Sequence, residues 1–321
     1  MYSIVVPMYN EAAIVGELGL RLSAVMDEID GPCEAILVDD GSGDATYPLM
    51  LELHSMDSRF KVIELSRNFG HQVAITAGLD VACGEAVMIM DGDLQHPPEL
   101  LHEFIELWRQ GYDIVYGVQT ERAGQPWLKR TTARGFYRLL TTCTRISASP
   151  GAGDFRLVDR KALEAFCAMR EGNRFVRGMW DWIGFHQTGI PYEPPERFAG
   201  RSKYGIRRML RLAVDAILGF SNVPLRAALT VGVAVSLVSF AFGMSAIVGI
   251  LLGQHLVPGW ASLMVLTSFV LGIQLIVLGV IGEYIGRIYD EVKHRPMYIV
   301  RNRHGLAGTA ASDHIAIAGD G

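Results

Sequence analysis

The 321-residue sequence predicts an α/β domain on a mostly parallel sheet, followed by a two-helix transmembrane hairpin. Three observations carry that expectation. Strand-like and helix-like segments alternate through residues 1–120, the pattern of parallel strands joined by crossover helices. Two long runs, residues 227–252 and 260–282, contain no Asp, Glu, Lys or Arg. Acidic and amide residues follow directly on several apolar strand segments, where open α/β sheets bind their ligands.

The strand segments are YSIVVPMY (2–9), CEAILVDD (33–40), FKVIELS (60–66), GEAVMIMD (84–91) and YDIVYGV (112–118). Each is a short apolar run bounded by turn signals, as in a sheet covered on both faces. The stretch AAIVGELGLRLSAVMDEI (12–29) has the spacing of an amphipathic helix. Residues 121–210 mix basic helix-like pieces with Gly- and Pro-rich turns. The four cysteines are scattered without C-x-x-C spacing and read as reduced structural thiols. The N-terminus has no basic segment and reads as a first strand rather than a signal peptide.

Half of the residues are hydrophobic and a fifth are charged, and most of the apolar excess lies after Arg226. About 20 apolar residues at 1.5 Å each cross a hydrocarbon core of roughly 30 Å, so each uncharged run is long enough to span. Globular-core helices are the competing reading, disfavoured by the length of the two runs. The loop GQHLVPG between them has no Lys or Arg, whereas Arg226 precedes the first run and Arg287, Lys293, Arg295, Arg301 and Arg303 follow the second. The positive-inside rule puts both ends on the cytoplasmic side of the inner (plasma) membrane. Small residues in GILLG and GEYIG could pack the hairpin or a homo-oligomer. Ahead of the runs, Ile206, Met209, Leu210, Ala213 and Ile217 form a helical stripe with Arg207, Arg208 and Arg211 off it, suited to a membrane interface. The expected division is 1–200 catalytic domain, 201–225 loop and juxtamembrane helix, 226–286 hairpin and 287–321 tail, small and polar after His304.

The stretch VMIMDGDLQHPPEL (87–100) carries the chemistry. An apolar strand ends in Asp91 and Asp93, two carboxylates that repel each other unless a cation lies between them. Hard divalent ions take oxygen ligands, and Mg²⁺ is typically held by one or two carboxylates plus substrate phosphates. Gln95 can add an amide oxygen. A solvated acidic turn capping the helix near Pro97–Pro98 is the plainer reading. Two other strand ends are also polar: VVPMYNEA brings Tyr9, Asn10 and Glu11, and ILVDDGSGDAT brings Asp39 and Asp40. Taken singly, Asn10, Ser42 and Asp44 are helix-cap types. Together, the three ends place carboxylates and amides along one edge of one sheet, where a nucleotide would bind. No G-x-G-x-x-G follows the first strand, which disfavours a dinucleotide site. An aspartyl phosphatase is disfavoured because Leu94–Gln95, not Gly-Thr, continues the D-x-D.

These stretches, with NFGHQVAITAGLD, GAGDFRLVDR, RFAGRSKYGIRRML, FSNVPLR and GEYIGRIYDEVKHRPMYIV, resemble the family-2 glycosyltransferases of the GT-A fold. The sequence is most similar to the polyprenyl-phosphate sugar transferases, bactoprenol-phosphate glucosyltransferases and dolichol-phosphate mannose synthases. The likeness runs from about residue 3 to 300 and includes no Q-x-x-R-W motif of the processive synthases. It implies a Rossmann-like GT-A domain and transfer, with inversion, of one sugar from a nucleotide-sugar to a polyprenyl (undecaprenyl or dolichyl) phosphate. UDP-glucose is the first donor expected, with mannosyl or N-acetylglucosaminyl donors open and no nucleic-acid partner. The resemblance assigns the donor's base and ribose to Pro7, Tyr9, Asn10, Glu11, Asp39 and Asp40. It assigns the diphosphate to Mg²⁺ or Mn²⁺ on Asp91, Asp93 and Gln95, under a closing loop of Arg201, Ser202 and Lys203. Asp154 matches the family's catalytic carboxylate, beside Asp93. The basic stretch with Arg122, Lys129, Arg130, Arg134 and Arg138 is expected to bind the lipid phosphate; a solvated basic helix is its alternative. Where the family more often has D-A-D, this sequence has Gly92, expected to loosen the turn. A non-enzymatic membrane subunit using the domain only to bind nucleotide is the rival class, and no intramembrane charge marks a path for it.

Overall fold

The computed structural model describes residues 1–120, 152–172, 174, 176–195, 223–252, 259–306 and 316–317. They belong to two units, one drawn from Met1–Ala213 and Arg295–Gly321, the other from Val214–His294.

The first unit is a mixed sheet in the order β7-β5-β6-β4-β1-β2-β3-β8-β9. Its strands are β1 (Tyr2–Met8), β2 (Cys33–Asp39), β3 (Phe60–Leu65), β4 (Ala86–Ile89), β5 (Ile114–Gln119), β6 (Ala152–Asp159), β7 (Gln187–Tyr192), β8 (Ile299–His304) and β9 (Ala316–Ile317). The block β4-β1-β2-β3 is parallel throughout, as expected. All seven residues of β1 and of β2 are buried, which is why these segments read as continuous apolar runs. Helices α1 (Val15–Glu28), α2 (Thr46–Met56), α3 (His71–Val81) and α4 (Leu101–Arg109) make the crossovers. α1 buries Val15, Leu18, Leu22, Val25 and Met26, a stripe at helical spacing. α3 comes so close to β1 that a methyl on Gly78 would meet Val5 Cγ1 at 2.3 Å.

β2 and β3 lie on one side of β1, and β4 lies on the other. The order in which strands are added to the sheet therefore reverses at β1, between the parallel strands β1 and β4, the place in an open α/β sheet where a crevice forms beyond the carboxyl ends.

Four strands, β6 to β9, had no counterpart in the strand pattern. β6 runs antiparallel between β4 and β5. β8 comes after the long apolar helices and pairs antiparallel with β3. Glu64 fastens it, accepting from Arg301 Nη1 at 2.8 Å and Asn302 Nδ2 at 2.6 Å. Just before β8, Tyr298 is 2% exposed and donates from Oη to Asp80 Oδ2 at 2.7 Å. Residues 298–304, placed in a tail by sequence, thus take part in the first unit. Helix α5 (Arg160–Ala168) follows β6, capped by Asp159, and α6 (Val176–Trp182) follows α5. Cys33, Cys83 and Cys167 are unpaired, and burial pushes the Cys33 thiol up to about 11.

The second unit consists, among the described residues, of α7 (Val223–Leu251) and α8 (Trp260–Val292). Segments Val223–Ser245 and Phe269–Val292 are long and apolar enough to cross a membrane. Their apolar side chains are not a buried core: Leu229, Phe240 and Leu275 are each about two-thirds exposed. Exposed apolar surface on this scale marks an interaction with lipid or protein. α7 begins a few residues before the expected span and α8 runs beyond it, to Val292.

Candidate active site

The register of the sheet brings the site together. Met8 lies beside Asp39 and Val5 beside Ile89, so the ends of β2, β1 and β4 form one edge. In the β4–β6 ladder Ile89 faces Arg156. Two residues further along each strand, the antiparallel register carries Asp154 to the level of Asp91. β6, which the strand pattern missed, is therefore the element that delivers the second carboxylate.

Loops after β1 and β2 are stitched to each other. Asn10, at φ 55°, donates from its backbone N to Ser42 Oγ at 3.0 Å and accepts at Oδ1 from Gly43 N at 2.8 Å. Glu11 N donates to Thr46 Oγ1 at 2.8 Å. Neither Asn10 nor Ser42 caps a helix through its side chain; the side chains join loops instead. Tyr9 is 46% exposed at the rim, while Pro7 lies in buried β1. Asp40 is buried and accepts from Phe69 N at 2.7 Å and Gly70 N at 2.9 Å. Asp39 accepts from Ser42 N. Burial raises both carboxyls above their ordinary value, against these hydrogen bonds. Asp40 thus anchors the loop that leads into α3.

That loop leads directly to His71, the first residue of α3, which the motif reading did not single out. Its Nε2 lies 3.2 Å from Asp91 Oδ1 and 3.6 Å from Asp154 Oδ2, bridging the carboxylates. Desolvation would lower the imidazole's pKa, but Asp154 and Asp91 outweigh it and raise it to about 10. Asp154 is 3% exposed and held by Arg177, whose Nε donates to Oδ1 at 3.0 Å and Nη2 to Oδ2 at 3.1 Å. Burial would raise its carboxyl; Arg177 and His71 instead hold it far below the usual carboxylate range. Arg156, buried behind it, has its guanidinium lowered to about 10 by burial.

The turn after β4 is shaped by His96, a second residue that motif reading passed over. Its Nδ1 accepts from Asp91 N at 2.9 Å, so the neutral ring carries its proton on Nε2. The ring stacks on Phe155 at 4.7 Å, which ties the turn to β6. Asp93 Oδ1 accepts from Gln95 N at 3.1 Å, and Leu94 is left-handed at φ 58°. Gly92 does not loosen this turn. A Cβ there would meet Met8 Sδ at 2.3 Å, so the turn is tight against the end of β1 and any side chain would have to displace that of Met8. Gly92→Ala should lower stability by about 1–3 kcal/mol, the usual cost of overpacking. Trimming the neighbour in Met8→Ala/Gly92→Ala should recover part of it; a melting temperature unaffected by Gly92→Ala would contradict the contact.

The donor set suits a hard cation. Asp91, Asp93 and Gln95 offer oxygens, and the contact of Asp91 Oδ1 with His71 leaves its other carboxylate oxygen, Oδ2, facing His96 Nε2 only at 3.7 Å. Among the described residues no group of three or more His, Cys, Asp or Glu forms a cage by itself. Coordination would therefore be completed by ligand oxygens, as Mg²⁺-type sites commonly are. Arg122, Lys129, Arg130, Arg134 and Arg138, the loop Arg201, Ser202 and Lys203, and the expected interfacial helix at 206–217 lie outside the described residues.

Comparison with known proteins adds the family. Residues 3–166 match the model described as glycosyl transferase family 2. The chain is 46% identical over 305 residues to the glycosyltransferase YkcC of Bacillus subtilis, covering 95% of this chain and 94% of the relative. It is 37% identical over 300 residues to the bactoprenol glucosyl transferase of Shigella phage SfV, covering 94% and 98% respectively. Among solved structures it resembles mannosyl-3-phosphoglycerate synthase from Rubrobacter xylanophilus, at 18% identity and a TM-score of 0.48 over 68% of this chain and 71% of that one.

Proposed function

The chain belongs to glycosyl transferase family 2, and from that premise we propose that it transfers one glucose from UDP-glucose to polyprenyl phosphate at the cytoplasmic membrane face. The observation that carries this reading is the reach of the bactoprenol glucosyl transferase likeness. It covers nearly the full length of both chains, the two apolar helices included. A transferase acting on a lipid needs both parts: a sheet edge for the nucleotide-sugar and apolar helices that keep the protein where the acceptor lies.

The donor's base and ribose are assigned to the rim of Tyr9, Asn10 and Glu11, with Pro7 and Asp39 behind it. Asp91, Asp93 and Gln95 would hold Mg²⁺ or Mn²⁺ against the diphosphate. When bound, such an ion supplies Lewis-acid stabilisation of the departing nucleoside diphosphate. Arg201, Ser202 and Lys203 are assigned to the donor phosphates, where cations match the charge that grows as the bond breaks. The acceptor phosphate approaches from the Asp154 side, opposite the departing group, and attacks the anomeric carbon directly, which inverts it. A phosphate monoester has its second ionisation near pH 6, so it arrives largely as a dianion and needs little deprotonation. Asp154, held anionic by Arg177, accordingly acts through geometry and charge.

The test is direct. Full-length protein with Mg²⁺ or Mn²⁺, a panel of UDP- and GDP-sugars and a short polyprenyl phosphate should release UDP fastest from UDP-glucose, and only when the lipid is present. Release from a GDP-sugar instead would reassign the donor; no lipid dependence with any donor would overturn the reading. The same assay tests the basic stretch. Arg134→Ala should raise the KM for polyprenyl phosphate and leave that for UDP-glucose unchanged, since one charge-assisted phosphate bond is worth about 1.5–3 kcal/mol. A raised donor KM with an unchanged lipid KM would move the stretch to the donor.

A further inference from the structure

Two cationic side chains meet Asp154 from separate helices, and those helices are fastened to each other. Arg177, from α6, uses the Nε–Nη2 edge of its guanidinium on the two oxygens of Asp154. His71, from α3, faces Asp154 Oδ2 at 3.6 Å. Next to His71, Gln72 accepts through Oε1 from the backbone N of Val176, the neighbour of Arg177, at 2.8 Å. Arg174 adds a second tie, donating from Nη1 to Thr76 Oγ1 on α3 at 2.8 Å. The floor beneath is rigid: Trp180 of α6 is fully buried and stacks on Phe166 of α5 at 3.9 Å and 8°.

Such a clamp does more than neutralise charge. A single ammonium opposite Asp154 would satisfy electrostatics and leave the carboxylate free to rotate. The planar guanidinium fork fixes the plane of the carboxylate as well, because both N–H···O bonds hold only in one orientation. That plane decides where the oxygens stand relative to Asp91, whose level the β4–β6 register has already matched. The acceptor-side carboxylate and the donor-side carboxylate are thereby set in one frame, with His71 between them.

We infer that Arg177 is a positioning residue for the sugar transfer: its two-pronged bond to Asp154 fixes the carboxylate orientation on which turnover depends. The inference rests on the transferase reading above. It assigns to Arg177 no contact with either substrate, which separates it from a phosphate ligand.

The experiment uses the full-length chain in lipid nanodiscs, with UDP-glucose and a short polyprenyl phosphate, and compares the parent with Arg177→Lys, Arg177→Gln, Asp154→Asn and the Arg177→Gln/Asp154→Asn double variant. Melting temperatures are recorded alongside. Misplacement of a reacting geometry by an ångström can cost about a hundredfold, so Arg177→Gln should lower kcat by about that much with both KM values within about twofold of the parent. Arg177→Lys, which keeps the charge and loses the fork, should stay at least about tenfold below the parent. The double variant should be no slower than the slower single variant, because both substitutions break one unit. Parental kcat in Arg177→Lys, losses that multiply in the double variant, or a raised lipid KM at unchanged kcat would each overturn the inference. Should Arg177→Gln not fold, Arg177→Lys still decides through its kcat. A parent that turns over no donor would instead sink the transferase reading, and this inference with it.

Discussion

Asp93→Ala should abolish turnover while leaving the fold intact, and excess chelator should do the same to the parent. His71 already faces Asp91, and a hard cation held between Asp91 and Asp93 would offset the remaining repulsion of the two carboxylates at the end of β4. The turn is built to present them. Asp93 Oδ1 accepts from Gln95 N at 3.1 Å, His96 Nδ1 holds Asp91 N, and Gly92 lets the turn lie flat against Met8. Lewis-acid stabilisation is worth several kcal/mol, and each 1.36 kcal/mol is tenfold in rate, so the loss should be about a thousandfold or more. UDP release measured before and after chelation, with Mg²⁺ and Mn²⁺ added back separately, checks it. Full activity in excess chelator would rule the cation out.

Much of this site was legible before the structure, for a physical reason. Strands buried on both faces must be apolar along their whole length, so β1, β2 and β4 stand out and their polar ends at Tyr9–Glu11, Asp39–Asp40 and Asp91–Asp93 are conspicuous. What stayed hidden was set by long-range pairing. β6 begins among glycines and lies antiparallel between two strands, and its alternation of Asp154, Phe155, Arg156 and Leu157 includes two buried charges that no apolar pattern reveals. Asp154 came only from the family resemblance. His71 and Arg177 are single residues at helix starts, with no local pattern; their meaning appears only once Asp154 lies between them. Six residues, Ile299–His304, join the sheet after two long apolar helices, and nothing in their own composition announces that return. The glycine of the D-G-D was misread because its constraint, Met8, lies on another strand.

Asp154→Asn should lower kcat heavily, and by nearly the same factor at every pH from 5.5 to 8.5. Four groups interact with this carboxyl: Arg177 from α6, His71 from α3, Arg156 along its own strand and Asp91 from the turn after β4. Burial works against its charge, but Arg177 and His71 prevail and hold it well below the usual range. The sign follows directly. A carboxyl whose folded pKa is depressed stabilises the fold above its unfolded value of about 3.9 and loses that contribution only as pH falls towards the folded pKa. The clamp is therefore intact across the whole assay range, and so is the anion. A group this far from its own pKa is a weak proton acceptor, because general-base efficiency is greatest when the pKa lies near the working pH. The acceptor phosphate meanwhile ionises near pH 6 and supplies its own nucleophilic oxygen. Were Asp154 a base, the asparagine variant would recover towards high pH, where the dianion needs no help. General-base assistance is typically worth about 10²–10⁴-fold, so a recovery of that size would be plain in a rate profile. A parallel pair of profiles, parent above variant, is the outcome expected from a carboxylate that works by holding its place.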